Sequence, residues 1–147
     1  MKDIEQEITP DFEILSSGDE VVRLVKPPIT KLQLVRYAGA SGDFNPLHTD
    51  DDTAREAGFQ GVVAHGMLMM AFLAEAVTTW VPRKSFRRIK VRFKGVTKPG
   101  DVVTVIGRVS EKQVVEGQGL VICSIEAVDQ NRDVKAVGTF EVTLPPS

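Results

Sequence analysis

Asp43 and His48 flank Phe44-Asn45-Pro46-Leu47, and the only other histidine, His65, follows in Ala64-His65-Gly66. The Asn45-Pro46 step disfavours helix at Asn45, which places Asp43 and His48 in a bent loop able to aim a carboxylate and an imidazole at one point. His65 and Gly66 open the most apolar segment of the chain, which reads as a second loop ending at a helix start. The first N–H groups of such a helix lack internal partners and attract negative charge. A carboxylate, an imidazole and an oxyanion-binding helix start together make an acid/base site. On spacing alone, the same Asp and His also fit an ordinary loop hydrogen bond.

Other chemistries have weaker support. Asp43, His48, Asp50 and His65 are of types that bind divalent ions. They show no compact ligand spacing such as H-E-x-x-H, so no metal is expected. Cys123 stands in a β-branched stretch with no cue for a stabilised thiolate, and it reads as a small core residue.

The elements that must position these residues can be read in order. Residues 1–20 are polar, with Pro10 and Gly18, and are expected to run irregularly along the surface. Val21 to Lys26 has strand composition and stops at Pro27-Pro28. Thr30, with Gln33 three residues on, reads as a capping box for a helix in which Leu32, Val35 and Ala38 share a face, closed by Gly39 and Gly42. Thr49 or Asp50 caps a short helix through Ala57, with Asp50, Asp51 and Asp52 as capping and solvated charge and Gly58 as its stop. From Met67 to Val77 only Glu75 is charged. A helix this apolar on all sides needs wrapping by the rest of the chain, with Glu75 reaching a rim or a partner. Met67, Met69 and Met70 read as core, or as the lining of an apolar tunnel. Ser85 to Thr97, Asp101 to Ser110, Leu120 to Val128 and Val134 to Leu144 read as strands, joined by turns at 98–101, 116–119 and 129–133. With Val21 to Lys26 this predicts an α+β fold in which about five mostly antiparallel strands curl around one buried helix.

Composition bounds the rest. A chain of 147 residues fits one domain, 1–147, able to remove roughly two-thirds of its unfolded surface from water. With 26% charged residues and a net charge of −2, a dedicated nucleic-acid binder is not expected. The basic run Arg83, Lys84, Arg87, Arg88, Lys90, Arg92 and Lys94 reads as a solvated strand face, or as an attractor for an anionic substrate. The N-terminus lacks the apolar core of a signal peptide, and no apolar run approaches the roughly 20 residues of a membrane span. One cysteine allows no internal disulfide, so a soluble cytoplasmic protein is expected.

Ser41-Gly42-Asp43-Phe44-Asn45-Pro46-Leu47-His48, with Asp50 beyond it and Ala64-His65-Gly66-Met67-Leu68 downstream, resembles the MaoC-type hydratase/dehydratase family of hot-dog folds. That family includes (R)-specific enoyl-CoA hydratases and 3-hydroxyacyl-thioester dehydratases. The resemblance implies a long central helix wrapped by an antiparallel sheet, and dimers joined edge to edge. It implies an acyl-CoA or acyl-carrier-protein thioester as substrate, with no metal or redox cofactor. It makes Asp43 and His48 the catalytic pair holding a water or substrate hydroxyl, and Gly66 the donor of a backbone N–H to the thioester oxygen. Asn45 would support the loop or bind substrate, and His65 would anchor the second loop. The sequence departs in one respect: hydratases of this family often carry a small hydroxyl residue in the central helix, whereas here Thr78 is the first after Gly66. The resemblance also admits a partner-dependent or noncatalytic subunit of a heteromeric dehydratase.

Overall fold

The apolar segment after His65 forms helix α3, Gly66–Trp80, and the rest of the chain is arranged against it. Its buried side chains, Leu68, Met69, Phe72, Leu73, Ala76 and Val77, recur at helical spacing and make one stripe. In the computed structural model, which describes residues 8–146, the stripe packs into a five-stranded sheet. The strands are β1 (Glu20–Val25), β2 (Phe86–Phe93), β3 (Thr104–Val115), β4 (Gln118–Val128) and β5 (Val134–Leu144). Their order is β1-β3-β4-β5-β2 and every pairing is antiparallel, so β1 and β2 are the edges. Alternation puts Val105, Val109, Val121, Cys123, Ile125, Phe140 and Val142 on the buried face. Full burial of one such large side chain contributes about 1.5–3 kcal/mol. Leu73 is fully buried, and its replacement by Ala should cost about 2–5 kcal/mol. This is the α+β arrangement that the pattern predicts and the hot-dog arrangement that the resemblance implies.

The wrapping is less complete than the helix composition predicts. The sheet covers one side of α3, while Met67, Ala71, Glu75 and Thr78 remain exposed on the other. Of the three methionines, only Met69 is buried. Glu75 finds the expected rim partner: Lys26 Nζ approaches its carboxylate at 2.8 Å and lies 5.0 Å from the Phe72 ring centroid.

Helix α1, Lys31–Ser41, starts where the capping residue predicts, with Thr30 Oγ1 accepting from Gln33 N at 3.1 Å. Its buried positions are Leu34 and Ala38, and Leu32 and Val35 face solvent. The expected face of Leu32, Val35 and Ala38 is therefore wrong in two of three residues, because the i, i+4 pair Leu34/Ala38 turns inward. Helix α2, Asp51–Glu56, is capped by Asp50 and stops at Gly58, as predicted.

Three further expectations change. The segment before β1 has no helix or strand from residue 8 onward, but it does not merely cover the surface: Phe12 and Leu15 are buried. Phe12 lies flat against Gly119, where a Cβ would fall 2.6 Å from the ring, so this position excludes larger residues. Lys112 Nζ ties the segment down by donating to the Phe12 and Glu13 carbonyls. Residues 1–7 of the same expectation lie outside the described residues. Strand β3 continues past Ser110 to Val115 through a bulge between Val109 and Glu111, and the turn shrinks to Glu116-Gly117, both at positive φ, as a tight hairpin needs. Strand β2 ends at Phe93 rather than at Thr97.

Candidate active site

Gly42, at φ 77°, caps α1 in the left-handed region and turns the chain out of the helix. A chain of short bonds then shapes the loop. Ser41 Oγ accepts from Asp43 N (3.2 Å), Asp43 Oδ1 from Asn45 N (3.2 Å), and Asn45 Oδ1 from Leu47 N (3.1 Å). Asn45 thus caps the 3₁₀ turn Pro46–His48, which has Pro at its start. This bonding fixes where Asp43 and His48 stand relative to each other.

The second loop is zipped to the first. Val63 N donates to Leu47 O (3.0 Å), Ala64 N to Thr97 O (2.7 Å), and His48 Nδ1 to Val63 O (2.7 Å). Asp51 also reaches across: it accepts from Val62 N (3.0 Å) and pairs with Lys31 (2.5 Å). Asp51 is therefore a tether between α1, α2 and the second loop, more than solvated charge. Its carboxyl is held below the usual range, first by the Lys31 bond and then by the Val62 N–H. The Asp50 carboxyl is lowered chiefly by the Thr53 hydroxyl.

His48 Nδ1 faces a carbonyl oxygen, so it carries the proton, and in the neutral ring Nε2 has the lone pair. That nitrogen stands 3.7 Å from Asp43 Oδ2. Two acceptors facing each other at that distance call for a proton or a proton-bearing molecule between them. Asp43 is half exposed and His48 is mostly buried, so the gap opens outward on the carboxylate side.

His65, 1% exposed, joins the two groups from behind. Its Nε2 donates to the Asp43 carbonyl (3.1 Å), its ring stacks on His48 (centroids 3.7 Å, 22°), and Tyr37 meets it edge-on at 4.7 Å. Its Nδ1 is buried without a hydrogen-bond partner among the described residues. Asp43, His48 and His65 each bring a donor atom within 4.8 Å of the others, which gives the metal alternative a geometric test. Imidazole lone pairs lie in the ring plane, and two nearly parallel stacked rings have no shared point at bonding distance. The stack therefore does not suit joint coordination of one ion by His48 and His65. Asp50, the fourth candidate, is occupied as the α2 cap.

Gly66 begins α3, and the N-cap residue His65 gives this helix start no side-chain cap bond. The Phe93 ring lies beside it, 3.6 Å from where a Cβ would stand. Phe44 and Met67, which follow Asp43 and Gly66 in the chain, are exposed and apolar, as is Phe93. Sequence reasoning missed Tyr37, Phe44 and Phe93 as neighbours of the site; their only signal is aromatic character next to a loop or a strand end. A separate cleft of 570 Å³, lined by residues including Lys31, Phe59, Val62, Val96 and Lys135, lies behind the Val63 loop. None of Asp43, His48, His65 or Gly66 lines it.

Most of the chain is similar to known proteins. The model of the MaoC like domain matches residues 15–131. The chain is 32% identical over 118 residues to a fatty acid synthase subunit beta from Gibberella zeae, covering 77% of this chain and 6% of that protein. It is 33% identical over 93 residues to an (R)-specific enoyl-CoA hydratase from Rhodospirillum rubrum, covering 59% and 65%. The chain thus spans less than two-thirds of the length of these curated relatives. The unliganded R-hydratase structure from Pseudomonas aeruginosa superposes with a TM-score of 0.81 at 27% identity, covering 93% of this chain and 86% of that one. With four-fifths of its length matched by one family model and the same fold, this chain belongs to the MaoC-like domain family.

Proposed function

We propose that this chain catalyses the reversible hydration of a trans-2-enoyl thioester to an (R)-3-hydroxyacyl thioester. The observation that carries the reading is the 3.7 Å gap between Asp43 Oδ2 and His48 Nε2, the ring nitrogen left free by the bond to Val63 O, which a water or substrate hydroxyl would bridge. In hydration the water oxygen bonds to C3 while the pair takes a proton from water and returns one to C2. Negative charge passes to the thioester oxygen, where the Gly66 N–H at the start of α3 would stabilise it. Asn45 holds the loop, and His65 holds the pair from behind. Atoms and charge balance without a metal or redox cofactor.

The likenesses to an (R)-specific enoyl-CoA hydratase and to a mitochondrial 3-hydroxyacyl-[acyl-carrier-protein] dehydratase from Arabidopsis thaliana support an acyl thioester as substrate. The working form is a dimer, a homodimer or a pair with a related subunit. The free edge of β2 and the uncovered Met67/Ala71 face of α3 are surfaces a second copy would bury. No helix among the described residues is long and apolar enough to cross a membrane. The reading places the protein in solution in a reducing compartment, where the free thiol of Cys123 is stable.

Loss of enoyl-thioester absorbance on mixing the purified chain with crotonyl-CoA and longer enoyl-CoAs tests the activity. Turnover at any chain length supports it. Absence of turnover at every length, with recovery on adding a second hot-dog subunit, would assign a partner-dependent role instead. Light scattering that finds a 16.1 kDa monomer at micromolar concentration would overturn the dimer.

A further inference from the structure

Strand β2 carries a distribution of charge that the proposed chemistry does not use. Ile89, Val91 and Phe93 stand opposite Phe140, Gly138 and Ala136 of β5, on the face turned toward α3. Arg88, Lys90 and Arg92 alternate with them, opposite Glu141, Thr139 and Val137, on the outer face. All three cations are exposed. None makes an ion pair with another described residue, and that includes Arg88 with Glu141 across from it. No acidic residue falls between Arg83 and Lys94, although the whole chain has a net charge of −2. The cations are thus concentrated on one strand and left uncompensated there.

The strip also has a direction. Its C-terminal end, Arg92 and Lys94, brackets Phe93, whose ring lies beside Gly66 at the mouth of the site. Alternate residues on a strand repeat every ~6.8 Å, so Arg88 to Lys94 runs for about 20 Å. Acidic side chains four residues apart on an α-helix repeat every ~6 Å and can follow such a strip over three or four positions. The clustered phosphates of a nucleotide would engage only one end of it.

We propose that the outer face of β2 is a docking surface for an acidic helix of an acyl carrier protein, which lies along Arg88, Lys90 and Arg92 and delivers its thioester at Phe93 and Gly66. This assignment rests on the thioester reading above and narrows it to carrier-bound substrate. The competing explanation is that the cations only make the outer face of the sheet a solvated one.

The test is the triple variant Arg88→Gln, Lys90→Gln, Arg92→Gln, which removes charge from residues outside the catalytic pair and the oxyanion donor. Its turnover of crotonyl-carrier protein, crotonyl-CoA and crotonyl-pantetheine is compared with the parent's. Binding of the holo carrier protein is followed separately by fluorescence anisotropy at low ionic strength. The expected result is a KM for the carrier thioester raised by about tenfold or more, with kcat unchanged and the other two substrates unaffected. Carrier binding by the parent should weaken with added salt and be lost in the variant. Equal carrier kinetics and binding in parent and variant would overturn the proposal, as would a KM rise confined to crotonyl-CoA. Parent binding to a single-stranded oligonucleotide but not to the carrier would overturn it too. If the parent turns over none of the three substrates, the hydratase reading fails on its own, and salt-sensitive carrier binding lost in the variant would still establish the docking surface.

Discussion

Asp43 and Asp129 are both carboxylates on short connections, and their surroundings are opposite. Asp129, almost fully buried, accepts from Asn131 N (2.8 Å) and Asp133 N (3.0 Å) with one oxygen and faces Lys135 Nζ at 3.4 Å with the other. Burial works against its ionisation, but those N–H groups and the ammonium outweigh it and hold the carboxyl below the usual range. Asp43 is half exposed, and one of its oxygens faces His48 Nε2 across 3.7 Å, beyond hydrogen-bond distance. Behind it, His65 keeps a buried nitrogen without a hydrogen-bond partner among the described residues. A polar cluster that satisfies itself closes a turn, whereas one that its own chain leaves open has room for a further hydrogen-bonding group.

The sharpest way to break this contrast is to neutralise the open cluster. Asp43→Asn and His48→Ala should each lower kcat by about 10²-fold or more; the unfolding midpoint should stay near the parent's for the half-exposed Asp43 and fall by a few degrees for His48, which loses its bond to Val63 O and its stack on His65. The double variant should lose far less than the product of the single losses, because the two act on one proton transfer. Normal folding with near-parental turnover would show that the open cluster is not the reaction centre.

The role of His65 separates into two contacts. His65→Phe keeps a flat ring against His48 and Tyr37 but loses the N–H to the Asp43 carbonyl, and His65→Gln does the reverse. Each should lower kcat by about tenfold through misplacement of the pair, with a pH–rate profile that shifts although His65 does not reach the substrate. A drop in thermal midpoint with kcat and pH profile intact would reduce His65 to packing.

The closed cluster should respond the other way. Asp129→Ala leaves two N–H groups and an ammonium unpaired, and should cost about 2 kcal/mol in urea unfolding with no change in kcat. A change in kcat larger than that in stability would remove the distinction between the clusters. The smallest effect is on pH dependence. Because the Asp129 and Asp51 carboxyls are lowered in the fold, their contribution is present above the unfolded value near ~3.9 and is lost as pH falls through their native values. Asp129→Asn should flatten that acid limb, measured as unfolding free energy between about pH 5 and pH 2.

The site was more legible in the sequence than its support. Asp43, Asn45, His48 and Gly66 could be placed because Gly42, the Asn-Pro step and an abrupt apolar onset are local signals, each acting within a few residues. The contact of His65 with the Asp43 carbonyl joins positions 22 residues apart and depends on how two loops are zipped, which no local pattern encodes. The same holds for Phe12, whose burial rests on the missing side chain of Gly119 on a distant strand. The exposed face of α3 was misread for a different reason: composition reports that Met67 and Ala71 are apolar, but not whether their cover comes from this chain or from another. Glu111, Lys112 and Gln113 hid the far half of β3, because ladder pairing across a bulge does not require apolar side chains.

Cys123 sits mid-sheet, opposite Val109 and Phe140, with no exposed surface and a thiol pushed up to about 12 by burial. It is the single sulfhydryl of the chain, so any thiol-directed label must wait until β3, β4 and β5 part. With a slow label, which reclosing outpaces, the ratio of the labelling rate, read as one mass increment, to the rate for an unfolded thiol gives the free energy of opening the centre of the sheet, and with a fast label the rate is the opening frequency itself. The protein carries its own clock for global unfolding, and it can be read without a substrate or a spectroscopic probe.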